Sequence, residues 1–180
     1  MGDLLELAAR AVLAPLLKEE GFRKRGLTWN RSDGNFVDII NIQKSAYGTR
    51  DDVSFTVNFS LASPPDDPRK FVSEMCGVRR LRIGSLMGSE LDHWWKLPGI
   101  TKESAEGALR QVAEIVKAQG FDLFEQWRRP EHLAESVAQL RARLAISETY
   151  YESFPEFAKF DATVERMLGN LENRVVRSER

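Results

Sequence analysis

Between Val53 and Leu61, four polar side chains alternate with five apolar ones: Ser54, Thr56, Asn58 and Ser60 separate Val53, Phe55, Val57, Phe59 and Leu61. Side chains alternate across a strand, so this stretch builds one face for a core and one of hydroxyls and amides. Arg80 and Arg82 take the outward parity of a strand Arg79 to Leu86, with Leu81 and Ile83 inward. Thr28 and Asn30 do the same in a short strand Leu27 to Arg31, which leaves Trp29 to the core. A guanidinium offers a planar fork of donors. Ringed by amides and hydroxyls, it can grip a carboxylate, a phosphate or a peptide backbone. Asn41 and Gln43 would complete the ring, but in the strand Phe36 to Lys44 they share parity with Val37 and Ile39, while Asp38 falls with Phe36, Ile40 and Ile42. A bulge near Ile39 or Ile40 would reconcile the two halves. Trp94 and Trp95 can stack on a planar ligand or plug the edge of a small core. The candidate ligand- or partner-binding set is Asn41, Gln43, Thr56, Asn58, Arg80, Arg82, Trp94 and Trp95, against the alternative of an ordinary solvated sheet face.

Other constellations carry less. Lys44-Ser45 has the residue types of a serine nucleophile and its base, but adjacent strand residues face opposite ways. Cys76, Asp92 and His93 have those of a cysteine triad, with nothing in their spacing that brings them together. Two His and one Cys, far apart, do not make a zinc site. The run Gly84-Ser85-Leu86-Met87-Gly88 lacks the Lys-Ser/Thr of a phosphate loop, and Ser85 lacks the flanking glycines of a nucleophile elbow. No catalytic residue, metal or cofactor is assigned. Arg69, Lys70, Arg79, Arg80 and Arg82, with Arg23, Lys24 and Arg25, form a local basic surplus. The whole chain is balanced, with 26 Lys and Arg against 27 Asp and Glu and a net charge of −1. That balance disfavours nucleic acid as the main partner.

These residues need a sheet to hold them and helices to back it. Leu4, Leu5, Ala8, Ala9, Val12, Leu16 and Leu17 recur at helical spacing, with Pro15 expected to kink or split the helix and Gly21 to end it. Arg23-Lys24-Arg25-Gly26 reads as a solvated connector. Asp33-Gly34 marks a hairpin turn, and Tyr47 to Asp52 marks the next. Ser63 to Pro68 is a loop, Arg69 to Cys76 a helical turn or irregular crossover, and Ser89 to Gly99 an irregular passage. Thr101 caps a helix whose apolar stripe runs from Ala105 to Val116 and stops at Gly120. Phe121 to Trp127 is a short helix. Pro130 opens another, with Leu133, Val137, Leu140 and Leu144 on its buried face. Tyr150, Tyr151 and Phe154 fall in a connector before a last helix from Pro155.

Length and composition suit one fair-sized globular domain or a domain with a helical annex: 180 residues, 42% hydrophobic and 29% charged. The single cysteine permits no internal disulfide. Asp3, Glu6 and Arg10 are wrong for a signal peptide, and no apolar run approaches a membrane span. A cytoplasmic location is the expectation.

The ordered series Gly21-Phe22-Arg23-Lys24, Trp29 and Arg31, Ile42-Gln43-Lys44-Ser45, Phe55 and Val57-Asn58, Arg80 to Leu86 and Trp94-Trp95 resembles a bacterial family known as domain of unknown function 4304. The resemblance covers residues 10–97. It implies an N-terminal module with these strands in this order, and no chemistry. The expected fold is α+β: a mostly antiparallel four-stranded sheet with an N-terminal helix and a C-terminal group of three to four helices. Residues 1–100 would form the sheet domain and 101–180 a helical extension packed on it. The favoured function is a non-enzymatic binding or partner-recognition domain using the polar sheet face, with an unknown protein or small anionic ligand as partner. The alternatives are an enzyme built from the same residues, a weak nucleic-acid or phosphate-ligand binder, and an immunity-type protein by analogy with small bacterial proteins.

Overall fold

The computed structural model describes residues 3–65, 67–88, 92–151, 165–166, 168–170 and 172–173. The chain divides into two compact units between Phe124 and Glu125.

In the first unit, helix α1 (Leu4–Glu19) starts at Asp3, whose carboxylate accepts from the N–H groups of Leu5 and Glu6 at 3.0 and 3.3 Å. It runs unbroken through Pro15, which sits on the exposed side. Gly21, at φ 83°, closes it in a Schellman arrangement, with Phe22 N–H on Leu17 O at 2.8 Å and Gly21 N–H on Lys18 O at 3.0 Å. The strands β1 (Arg23–Arg25), β2 (Thr28–Ser32), β3 (Val37–Lys44), β4 (Val53–Ala62), β5 (Arg79–Arg82) and β6 (Trp95–Leu97) follow. All pairings are antiparallel, in the order β1-β2-β3-β4-β5, with β6 also on β4. Among the described residues the sheet therefore has six strands, where four were expected. β1 and β6 have three residues each, too few to show an alternation. The charged stretch read as a connector is an edge strand, and cations on an edge deter pairing with another chain. β5 ends at Arg82 and gives way to a short helix α2 (Ile83–Leu86), not a longer strand.

Helix α3 (Lys102–Ile115) begins with a reciprocal capping box between Thr101 and Ser104 and packs against α1. It does not stop at Gly120. A wide π-type turn, Val116–Gly120, leads directly into α4 (Phe121–Trp127). Gly120 is there for closeness: a Cβ would lie 2.9 Å from the Phe59 ring. Phe22, Phe59, Phe121 and Phe124 meet at ring-centre distances of 6.0 to 6.3 Å and join helices to sheet. The main core is built from this side, with Leu5, Leu13, Leu17, Trp29, Ile40, Phe55, Val57, Phe59 and Leu109 all buried.

The second unit contains α5 (Pro130–Tyr151), in which Leu133, Val137 and Leu140 are buried as the spacing predicts. Tyr150 and Tyr151 belong to this helix, not to a connector. Phe154 and Pro155 lie outside the described residues, and so does the side chain of Leu144. Among the described residues, no helix is long and apolar enough to cross a membrane.

Candidate functional site

Pairing register decides which side chains share a face. Thr28 opposes Asn41, Asn41 opposes Asn58, and Asn58 opposes Arg82. Arg25 opposes Thr28, so one polar row crosses five strands with a guanidinium at each end. The adjacent row is Arg23, Asn30, Ile39, Ser60 and Arg80, and on the other side Gln43 opposes Thr56. Asn41, Gln43, Thr56, Asn58, Arg80 and Arg82 thus lie on one face.

The bulge expected near Ile39 is absent: β3 pairs with β4 without interruption from Val37 to Lys44. The mixed parity has another cause. The segment from Val72 to Val78 returns over one half of the polar face. Val72 packs on Val37, Ile39 and Ala62. The Asn30 amide holds it like a strand partner, donating to Val72 O at 3.1 Å and accepting from Val72 N–H at 2.7 Å. Ser60 Oγ reaches Glu74 O at 2.9 Å and Arg79 O at 3.1 Å. Gly77 sits so tightly on Ser60 that a Cβ would fall 1.8 Å from its Oγ. Val37 and Ile39 are therefore apolar because their half of the face is covered. Asp38, on the helix side, is fully buried and bonded by Arg31 Nε and Nη2, both at 2.9 Å.

The other half holds an amide relay. Asn58 Nδ2 donates to Gln43 Oε1 at 3.0 Å and to Asn41 Oδ1 at 3.3 Å, and Asn41 Nδ2 donates to Thr28 Oγ1 at 2.9 Å. Asn58 and Thr56 form a buried floor, 2% and 0% exposed, while Asn41, Gln43 and Arg82 are half-buried and Arg80 is exposed. Among the described residues the Thr56 hydroxyl meets no hydrogen-bond partner. Arg82 pairs with Asp92 and lies 5.8 Å from the Trp94 ring centre, and Arg80 pairs with Glu74 at 3.2 Å.

The two neighbouring tryptophans part company. Trp94 is half-buried beside Arg82. Trp95 belongs to the core: it stacks on Phe55 at 5.2 Å and donates to Gln111 Oε1 at 2.9 Å. Lys44 and Ser45 also serve separate ends, Lys44 Nζ meeting Asp3 at 2.5 Å and Ser45 Oγ accepting from Tyr47 N–H at 3.2 Å. His93 stands edge-on to Trp95 at 4.3 Å, and Asp92 is engaged by Arg82. Among the described residues no cluster of three His, Cys, Asp or Glu could hold a metal ion. Arg25 and Asp92 were not foreseen as members of the face. Arg25 was hidden in a charged run, and nothing local named Asp92 as the partner of Arg82.

No curated protein and no solved structure matches the chain. A family model does, and it extends beyond the stretch over which the motifs carried the resemblance, through α3 and into α4. With that model matching residues 13–126, the chain belongs to the family described as domain of unknown function DUF4304.

Proposed function

We propose that this chain is a recognition domain that uses the open half of its polar sheet face to hold an anionic group of a partner protein or small ligand. The observation that carries this reading is the register of Asn58 opposite Arg82, which puts the amide relay and a guanidinium on one surface beside Trp94. The buried floor orients the Asn41 and Gln43 amides, and the half-exposed rim makes the contact. Asp92 already supplies Arg82 with a carboxylate. An incoming carboxylate or phosphate takes the place of Asp92, which is half exposed on a surface where ion pairs are weak.

The test compares capture of partners by the wild-type chain, Arg82→Ala, Trp94→Ala and Asp92→Asn. A partner held by the wild type is lost with the first two and held about as well or better by the third, with thermal midpoints unchanged. Equal capture by wild type and Arg82→Ala sinks the reading.

A further inference from the structure

A second feature lies at the end of the sheet, away from the Arg82 rim. A cavity of about 450 Å³ opens between the start of α1, the end of β3, the turn joining β3 to β4, and Ile100 ahead of α3. Its volume falls within the roughly 300–1,000 Å³ of small-ligand sites. The turn is held from several sides. Thr49 N–H bonds Asp52 O at 2.9 Å, and Asp52 N–H bonds Thr49 Oγ1 at 3.0 Å. Ile100 N–H bonds Asp51 O at 2.8 Å, and Gly99 N–H bonds Asp52 Oδ1 at 3.0 Å. The walls are therefore set before any ligand arrives.

Four charged side chains line the cavity: Asp3, Lys44, Arg50 and Asp51. Asp3 is spent, accepting from Lys44 Nζ and from the first N–H groups of α1. Lys44 keeps its remaining ammonium N–H groups. Arg50 and Asp51 make no ion pair among the described residues. The hydroxyls of Ser45 and Thr49 each accept a backbone N–H and so retain a proton to donate. Leu4, Val53 and Ile100, all half-buried, supply an apolar wall. The unspent groups are thus a cationic fork with lysine support, one carboxylate and a greasy surface. A simple anion would use the first and be repelled by the second, whereas a zwitterion uses both.

We propose that this cavity binds a free α-amino acid with an apolar side chain. Its carboxylate meets Arg50 and Lys44, its ammonium meets Asp51, and its side chain lies against Leu4, Val53 and Ile100. This is independent of the polar-face reading, since the cavity is built without Arg82, Asn58 or Trp94.

Calorimetric titration of the full chain with L-leucine and L-phenylalanine tests it. Saturable binding of at least one is expected at millimolar concentration. N-acetyl-L-leucine and L-leucinamide, each lacking one charge, bind about tenfold or more weakly, as loss of a charged hydrogen bond implies. Arg50→Gln and Asp51→Asn, on an exposed turn, keep the wild-type thermal midpoint and lose affinity by a similar factor. Failure of both amino acids to bind overturns the proposal. So does N-acetyl-L-leucine or inorganic phosphate binding as tightly as L-leucine, which would mark a general anion site.

Discussion

Replacing Gly77 with alanine tests whether the Val72–Val78 segment is clamped on the sheet. The new Cβ would lie 1.8 Å from Ser60 Oγ, 2.9 Å from Arg79 O and 3.0 Å from Ser60 Cβ. Ser60 is fully buried, so it has little room to give way. The segment must rise by roughly 1.5 Å to restore ordinary contact. That movement stretches the Ser60 bonds to Glu74 O and Arg79 O, at about 1 kcal/mol for a hydrogen bond, and loosens Val72 from Val37, Ile39 and Ala62. Overpacking typically costs about 1–3 kcal/mol, so the expected loss is about 2–4 kcal/mol. For a chain of this size the thermal midpoint falls by roughly 5–15 °C. Ser60→Ala alone removes the hydroxyl and costs about 1–2 kcal/mol. Combined with Gly77→Ala it also removes the worst overlap, so the double variant loses at least about 1 kcal/mol less than the sum of the singles. Urea denaturation of the four proteins measures the cycle. A neutral Gly77→Ala, or additivity within about 0.5 kcal/mol, refutes the clamp.

Asp38→Ala strips Arg31 of its buried partner. Arg31 is 23% exposed and retains Glu20 at 3.8 Å and the Phe22 ring at 4.8 Å. The loss is therefore about 2–4 kcal/mol, toward the lower part of the range for breaking buried pairs, and a change under about 1 kcal/mol in urea denaturation would show that the pair is not what holds β2 to β3. Asp3→Asn keeps an acceptor for the start of α1 but removes the charge facing Lys44. Burial opposes ionisation of Asp3, yet the hydrogen bonds from Lys44 and from the Glu6 and Leu5 N–H groups hold its carboxyl below the ordinary value of 3.8. A lowered folded pKa contributes stability in full above that ordinary value and loses it as pH falls through the folded one. The wild type should exceed Asp3→Asn by at most about 1 kcal/mol at neutral pH, closing below about pH 4. A gap that persists in acid would rule out the ion pair as its source.

What could be read from sequence depended on how long each pattern ran. β4 has ten residues, and its alternation gave both faces without ambiguity. Parity put Arg80 and Arg82 on the outward face of their own strand, but it named no neighbour, and the pairing of β5 with β4 is visible only in the folded register. β1 and β6 were illegible because three residues carry no period. The Arg31–Asp38 pair was within reach, since a turn at Asp33-Gly34 sets those positions opposite each other. It was missed because parity placed Asp38 among apolar residues and nothing local named its partner. Gly120 looked like a helix stop, but its reason is the Phe59 ring, far away in sequence. The cavity lining was equally hidden, because Arg50 and Asp51 read only as turn residues.

The same logic changes what the amides of the polar face mean. Lys or Glu at positions 56 and 58 would have to be buried, since Thr56 and Asn58 are 0% and 2% exposed, and a buried unpaired charge costs far more than a bonded amide. Enclosure alone therefore favours Thr and Asn there, with or without a ligand. Enclosure does not dictate the choice at the margins, where the register of Asn58 opposite Arg82 brings a guanidinium with Asp92 and Trp94 to the edge of the relay and Gln43 lies on the rim.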